Sequence, residues 1–190
     1  MTASRSFRPW RRWILTAFAF PPSGLLAHAV AGGVDSVPSA VLGGAIAGVG
    51  IGAAQWALLR PRGIGASWIA ATSLGLGAGL AAGAALVDYR TNISSLVVMG
   101  ACSGVGVGVA QGAVLRSITR ALGWAGVTGA LWAGGWAVMT AAGVDVDQQW
   151  AVFGISGALT VAVLQSLLVD AAVPAPTPGL AEAPTRKVGS

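Results

Sequence analysis

Charge is what this 190-residue chain has least of: Asp, Glu, Lys and Arg together make up 9% of it, against about 25% in an ordinary soluble domain. It has a single His, a single Cys and a single Tyr. One Cys excludes a disulfide scaffold, and one Cys with one His leaves a tetrahedral zinc site short of ligands. So few charges also exclude a solvated enzyme surface and a disordered chain, both of which rely on polar groups in contact with water. What the chain has instead is 55% hydrophobic residues and 29 glycines, with a mean hydropathy of +0.75. Such a composition belongs in a bilayer.

The few charges are clustered. Arg5, Arg8, Arg11 and Arg12 come first, then Asp35, Arg60 with Arg62, Asp88 with Arg90, Arg116 with Arg120, Asp145 with Asp147, and a last group of Asp170, Glu182, Arg186 and Lys187. Between them lie six stretches without Asp, Glu, Lys or Arg: 13–34, 36–59, 66–87, 91–115, 121–144 and 148–169. A helix needs about 20 apolar residues to cross a hydrocarbon core of roughly 30 Å, so all six are long enough to span. Membrane β-strands would be about 10 residues long with alternating polarity, a pattern missing here. The fold class expected is therefore an all-α membrane protein of six transmembrane helices.

Basic residues set the orientation. With the N-terminus inside, the inner segments carry every Arg and Lys except Arg90, while Asp35, Asp88, Asp145 and Asp147 lie outside. The positive-inside rule then places both termini in the cytoplasm and the chain in the inner (plasma) membrane. The net charge of +5 reflects flanks that touch anionic lipid, and no nucleic-acid partner is expected. Residues 1–12 read as a basic cytoplasmic N-terminus, 13–170 as the transmembrane domain, and the proline-rich 171–190 as a flexible cytoplasmic tail. Arg11-Arg12, the apolar run after them and Ala27-His28-Ala29 resemble an export signal. The internal repeat argues instead that this segment is retained.

Gly48-Val-Gly-Ile-Gly-Ala-Ala-Gln55-Trp-Ala-Leu-Leu-Arg60 aligns without gaps on Gly104-Val-Gly-Val-Gly-Val-Ala-Gln111-Gly-Ala-Val-Leu-Arg116, and a worn third copy runs from Ala158 to Val169 through Gln165. Three landmarks recur in order: a Trp opening each odd helix (Trp13, Trp68, Trp124), a Val-Asp pair at each outer turn (Asp35, Asp88, Asp145), and a Gln near the inner end of each even helix (Gln55, Gln111, Gln165). The unit is a helical hairpin of about 55 residues, with repeats at about 13–60, 66–116 and 121–169. Two spans per unit give every copy the same orientation, so three parallel hairpins are expected in a pseudo-three-fold bundle.

Glycines four residues apart form stripes: Gly44, Gly48 and Gly52; Gly75, Gly79 and Gly83; Gly100, Gly104, Gly108 and Gly112. Such stripes let helices approach closely where lipid supplies no hydrophobic drive. The Gly-x-Gly-x-Gly runs are not nucleotide loops, because no strand precedes them and helical backbone has no spare N–H for a phosphate. The third unit lacks a full stripe and is expected to pack more loosely.

Candidates for chemistry are few. Gln55, Gln111 and Gln165 are expected either to bond a neighbouring backbone or the repeat-matched Trp, or to form a ring of amides lining a path or ligand site. The outer-turn aspartates are expected to cap the descending helices, or to form an acidic mouth. Pro21-Pro22-Ser23-Gly24 interrupts the first helix; such breaks are either plain kinks or places where transporters build sites. His28 and Cys102, both in outer halves, are expected to pack, and Trp132 and Trp136 to face lipid or a neighbouring helix. No catalytic residue, metal site or cofactor is expected.

The stretches around Gln55 and Gln111, with Arg60 and Arg116 and then Trp68 and Trp124, resemble uncharacterised bacterial membrane proteins that repeat a glycine-rich helix ending in Gly-x-x-Gln-Trp-x-x-Leu-Arg. Gln55-Trp56-Ala-Leu-Leu-Arg60 fits the pattern, while the second copy has Gly112 in place of the Trp and the third lacks both Trp and Arg. The resemblance spans residues 13–169 and implies the fold without an activity. The function expected is a non-enzymatic structural, assembly or accessory subunit of a membrane complex. Its partners would be the bilayer and other membrane subunits or further copies of the chain. The alternative is a small transporter or channel with a path along the pseudo-three-fold axis.

Overall fold

Long apolar runs broken only by short charged or glycine-bearing turns fold as rods, and rods are what the computed structural model contains. It describes residues 10–144 and 150–173. Helix α1 (Trp10–Trp13), a 3-10 stretch (Ile14–Ala19) and α2 (Phe20–Ala31) run on without a turn as one first rod. After it come α3 (Val37–Leu59), a 3-10 turn (Arg60–Arg62), α4 (Ser67–Leu86), α5 (Ile93–Val114), α6 (Ile118–Ala141) and α7 (Ile155–Ala172), with no strand among the described residues. Four of the rods are long and apolar enough to cross a membrane: Ile14–Ala31, Val37–Arg62, Ser67–Leu86 and Ile93–Val114. Helix α6 is long enough, but its three tryptophans and five glycines dilute its hydropathy, and the apolar part of α7, Ile155–Val169, is short. Large apolar side chains such as Phe18, Leu26, Leu74, Leu86, Leu122 and Leu167 are exposed around the outside, the reverse of a soluble surface and suited to lipid.

Helix ends follow local chemistry, which in two places differs from expectation. Ser36 caps α3 in a reciprocal box with Ser39, and the Asp35 carboxylate accepts from the Ser39 hydroxyl at 3.1 Å and reaches no helix N–H. Asn92 caps α5 by accepting from the Ser95 N–H at 3.0 Å. Asp88 sits four residues upstream in a left-handed turn with Tyr89, too early to reach the first free N–H groups of α5. Neither aspartate is the helix cap; Asp145 lies outside the described residues. The proline pair makes no gap either. Pro21 falls in the first turn of α2, where a missing N–H leaves no bond unmade, so the expected break is a change from 3-10 to α winding. Ser23 packs there against the bare backbone of Gly50.

The sixth rod starts later than the charge-free stretch 148–169 suggests. Residues 150–154 are non-helical, yet Ala151, Val152 and Phe153 are buried. Phe153 stacks on Phe20 at 5.1 Å and meets Trp132 edge-on at 5.4 Å. An aromatic ring driven into the core holds the segment away from a helical path. Trp132 and Trp136 are themselves buried against this cluster.

Each rod packs on its neighbours in sequence, and α7 closes back on α1, the 3-10 stretch and α2. The glycine stripes explain the tight seams. A Cβ built at any of the ten stripe glycines falls within 3.0 Å of a neighbouring atom. Gly44, Gly48 and Gly52 face α4, where a Cβ at Gly48 would lie 2.6 Å from the Cα of Ser73. Gly75, Gly79 and Gly83 face α5, and Gly100, Gly104, Gly108 and Gly112 face α6, where a Cβ at Gly104 would lie 2.5 Å from the Thr128 carbonyl oxygen. Between α6 and α7 the close approach rests on Gly157 against the backbone of Gly135.

Candidate functional site

An indole N–H is a donor only, so a buried Trp imposes an orientation on any amide that serves it. Trp13, Trp68 and Trp124 are buried at the end of the bundle that carries Arg60, Arg62, Arg116 and Arg120, in one cluster with Leu59, Val169 and Val173. Trp13 and Trp124 meet edge-on at 6.4 Å. Each indole donates to a buried glutamine: Trp68 to Gln55 Oε1 at 3.0 Å, Trp124 to Gln111 Oε1 at 2.8 Å, and Trp13 to Gln165 Oε1 at 3.3 Å.

With its oxygen committed to Trp124, Gln111 is left with two amide protons, and both are used. One goes to Gln55 Oε1 at 2.9 Å and the other to Thr72 Oγ1 at 2.8 Å. Thr72 in turn donates to the Trp68 carbonyl at 2.8 Å. The chain Trp124–Gln111–Thr72–Trp68–Gln55 therefore ties α3, α4, α5 and α6 together at one level. Gln55 and Gln111 touch, whereas the bond between Gln165 and Trp13 stands apart on α7 and α1.

Sequence reasoning passed over the threonines. Thr16, Thr72 and Thr128 follow the three tryptophans by three or four residues, and all are buried. That spacing repeats in the chain and would have flagged them. Thr16 bonds the Trp13 carbonyl at 2.7 Å, the part Thr72 plays for Trp68. Thr128, four residues after Trp124, has a buried hydroxyl without a partner, as does Ser103 on α5.

Chemically the layer is neutral: amides, indoles and hydroxyls, with no carboxylate, imidazole or thiol among them. No group of three His, Cys, Asp or Glu that could hold a metal occurs among the described residues. His28 and Cys102 are not brought together. His28 stacks on Trp150 at 4.3 Å, Cys102 packs against Gly79 and Gly83 of α4, and α2 and α5 do not touch.

Beyond the layer the interior is mostly apolar, with Ile51, Leu76, Leu80, Trp132 and Phe153 essentially inaccessible and a few buried serines such as Ser95 and Ser103 among them. A cavity of about 330 Å³ lies off to one side, between Phe20, Pro21 and Gly24 of α2 and the non-helical segment at Val152 and Phe153. A second, of about 220 Å³, lies between α6 and α7 near the basic end. Neither is lined by a glutamine. The chain matches no family model, no curated protein and no solved structure.

Proposed function

We propose that the chain is a non-enzymatic, multi-pass protein of the bacterial inner (plasma) membrane, a structural, assembly or accessory subunit of a membrane complex. Its six helices form three parallel hairpin repeats around a pseudo-three-fold axis, held by glycine zippers. One observation carries the reading: each buried glutamine accepts from the Trp that opens the next hairpin. Gln55 and Trp68 are 13 residues apart, and so are Gln111 and Trp124. Gln165 accepts from Trp13, the Trp of the first hairpin, instead. Such an arrangement uses its polar groups to join hairpins and leaves none charged. The ring-filled interior beyond the amides supports a packed scaffold over a path along the axis.

The topology has a direct test. In a Cys102→Ala background, single cysteines at 36, 91 and 146 should react with an impermeant thiol reagent from outside. Cysteines at 63 and 118 should react only from the cytoplasm. A reversal at any of these positions would sink the orientation and the hairpin count with it.

A further inference from the structure

Helices α6 and α7 lack the full glycine stripe that joins α3 to α4, α4 to α5 and α5 to α6. They are pinned toward the end away from the arginines, where Gly157 lies on the backbone of Gly135. From Gly135 back to Trp124 is 11 residues, about 16 Å of helix, and over that length no glycine of α6 meets α7. Gly123 and Gly126 meet nothing within 4 Å where a Cβ would be added. Toward the basic end a cavity of about 220 Å³ lies between the two helices, lined by Gly123, Trp124, Val127, Leu168 and Ala171, with Arg120 also on its lining. Its walls are apolar and open sideways, since Gly123 and Leu168 are exposed. Arg120 is exposed on the same end as Arg60, Arg62 and Arg116, where the basic flanks would meet an anionic leaflet.

We propose that this groove is a binding site for an anionic phospholipid, its acyl chain between Val127 and Leu168 and its phosphate on Arg120. The inference rests on the membrane reading above, but it does not depend on the three-fold axis or on the subunit role. A soluble anion would satisfy Arg120 without filling the groove. An uncharged lipid would fill the groove without using Arg120. The combination of an apolar slot with the Arg120 cation beside it selects a ligand that has both parts.

The test uses the full chain, delipidated in detergent and titrated with dioleoyl phosphatidylglycerol or dioleoyl phosphatidylcholine, with bound lipid counted by native mass spectrometry. One phosphatidylglycerol should be held in preference to phosphatidylcholine, by about fivefold for one interfacial arginine. Arg120→Gln should erase the preference, Arg120→Lys should keep it, and Leu168→Trp should remove both lipids by filling the slot. Excess inorganic phosphate should not displace the bound lipid. Equal retention by the parent and the Arg120→Gln variant would overturn the proposal. So would displacement by phosphate, or a lipid bound only after residues 174–190 are deleted, which would make the chain's own tail the occupant. A failure of membrane insertion, seen by carbonate extraction, would strike at the membrane reading instead.

Discussion

Replacing Gln111 by Leu should lower the unfolding free energy of the bundle by about 3 to 5 kcal/mol, the largest loss among the three glutamines. Gln111 takes part in three side-chain bonds, to Trp124, Gln55 and Thr72. Interhelical polar bonds in membranes average about 0.6 kcal/mol each. The stranded Trp124 N–H would add to the loss, because a buried donor without a partner costs about 1–3 kcal/mol. Gln55→Leu and Gln165→Leu each strand a buried indole N–H as well, so the order follows the number of bonds lost: less for Gln55, where two end, and least for Gln165, with one long bond. Reversible unfolding in mixed detergent micelles reads the order. Equal effects at all three positions would contradict the network.

The triple Gln→Leu variant separates the two functional readings. In a scaffold it should fail to fold or should lose its associated subunits. A bundle that stays folded but loses a flux or ligand-binding signal would favour the transporter.

The second large effect is a change of sign along one helix pair. Gly104→Ala should destabilise by about 1–3 kcal/mol, the usual cost of overpacking, because its Cβ would meet the Thr128 carbonyl oxygen at 2.5 Å. Backbone cannot rotate away as a side chain would, so α5 and α6 must separate. Gly126→Ala places a methyl where nothing lies within 4 Å. It should stabilise α6 by about 0.5–1 kcal/mol, because alanine gives up less backbone entropy in a helix than glycine. Thermal unfolding of the two variants in the same detergent checks this. Shifts in the same direction would mean that the stripe is not what brings α5 and α6 together.

Much of the fold was legible because its signals are local. Charge-free stretches bounded the rods to within a few residues for α3, α4 and α5, and glycines four apart marked the faces that now lie against the next helix. The matched spacing of Trp and Gln pointed to the polar layer at the basic end. What the sequence hid was set by competition between neighbours. Asp35 and Asp88 looked like caps, but Ser36 and Asn92 sit nearer to the free N–H groups. The late start of α7 depends on Phe153 finding Phe20 and Trp132, more than 130 and about 20 residues away in the chain. No periodic pattern announces a contact of that range.

The ring closure between the first and last rods is the feature on which the rest depends, and one cross-link tests it. A Cβ at Gly24 would lie 2.9 Å from Cγ2 of Val152, close enough for two cysteines to approach disulfide geometry. In a Cys102→Ala background, Gly24→Cys with Val152→Cys should oxidise readily to an intramolecular disulfide in membranes, giving a faster-migrating monomer that thiol reduction reverses. Free thiols after mild oxidation, or cross-linked dimers alone, would show that α2 and the segment leading into α7 do not meet within one chain.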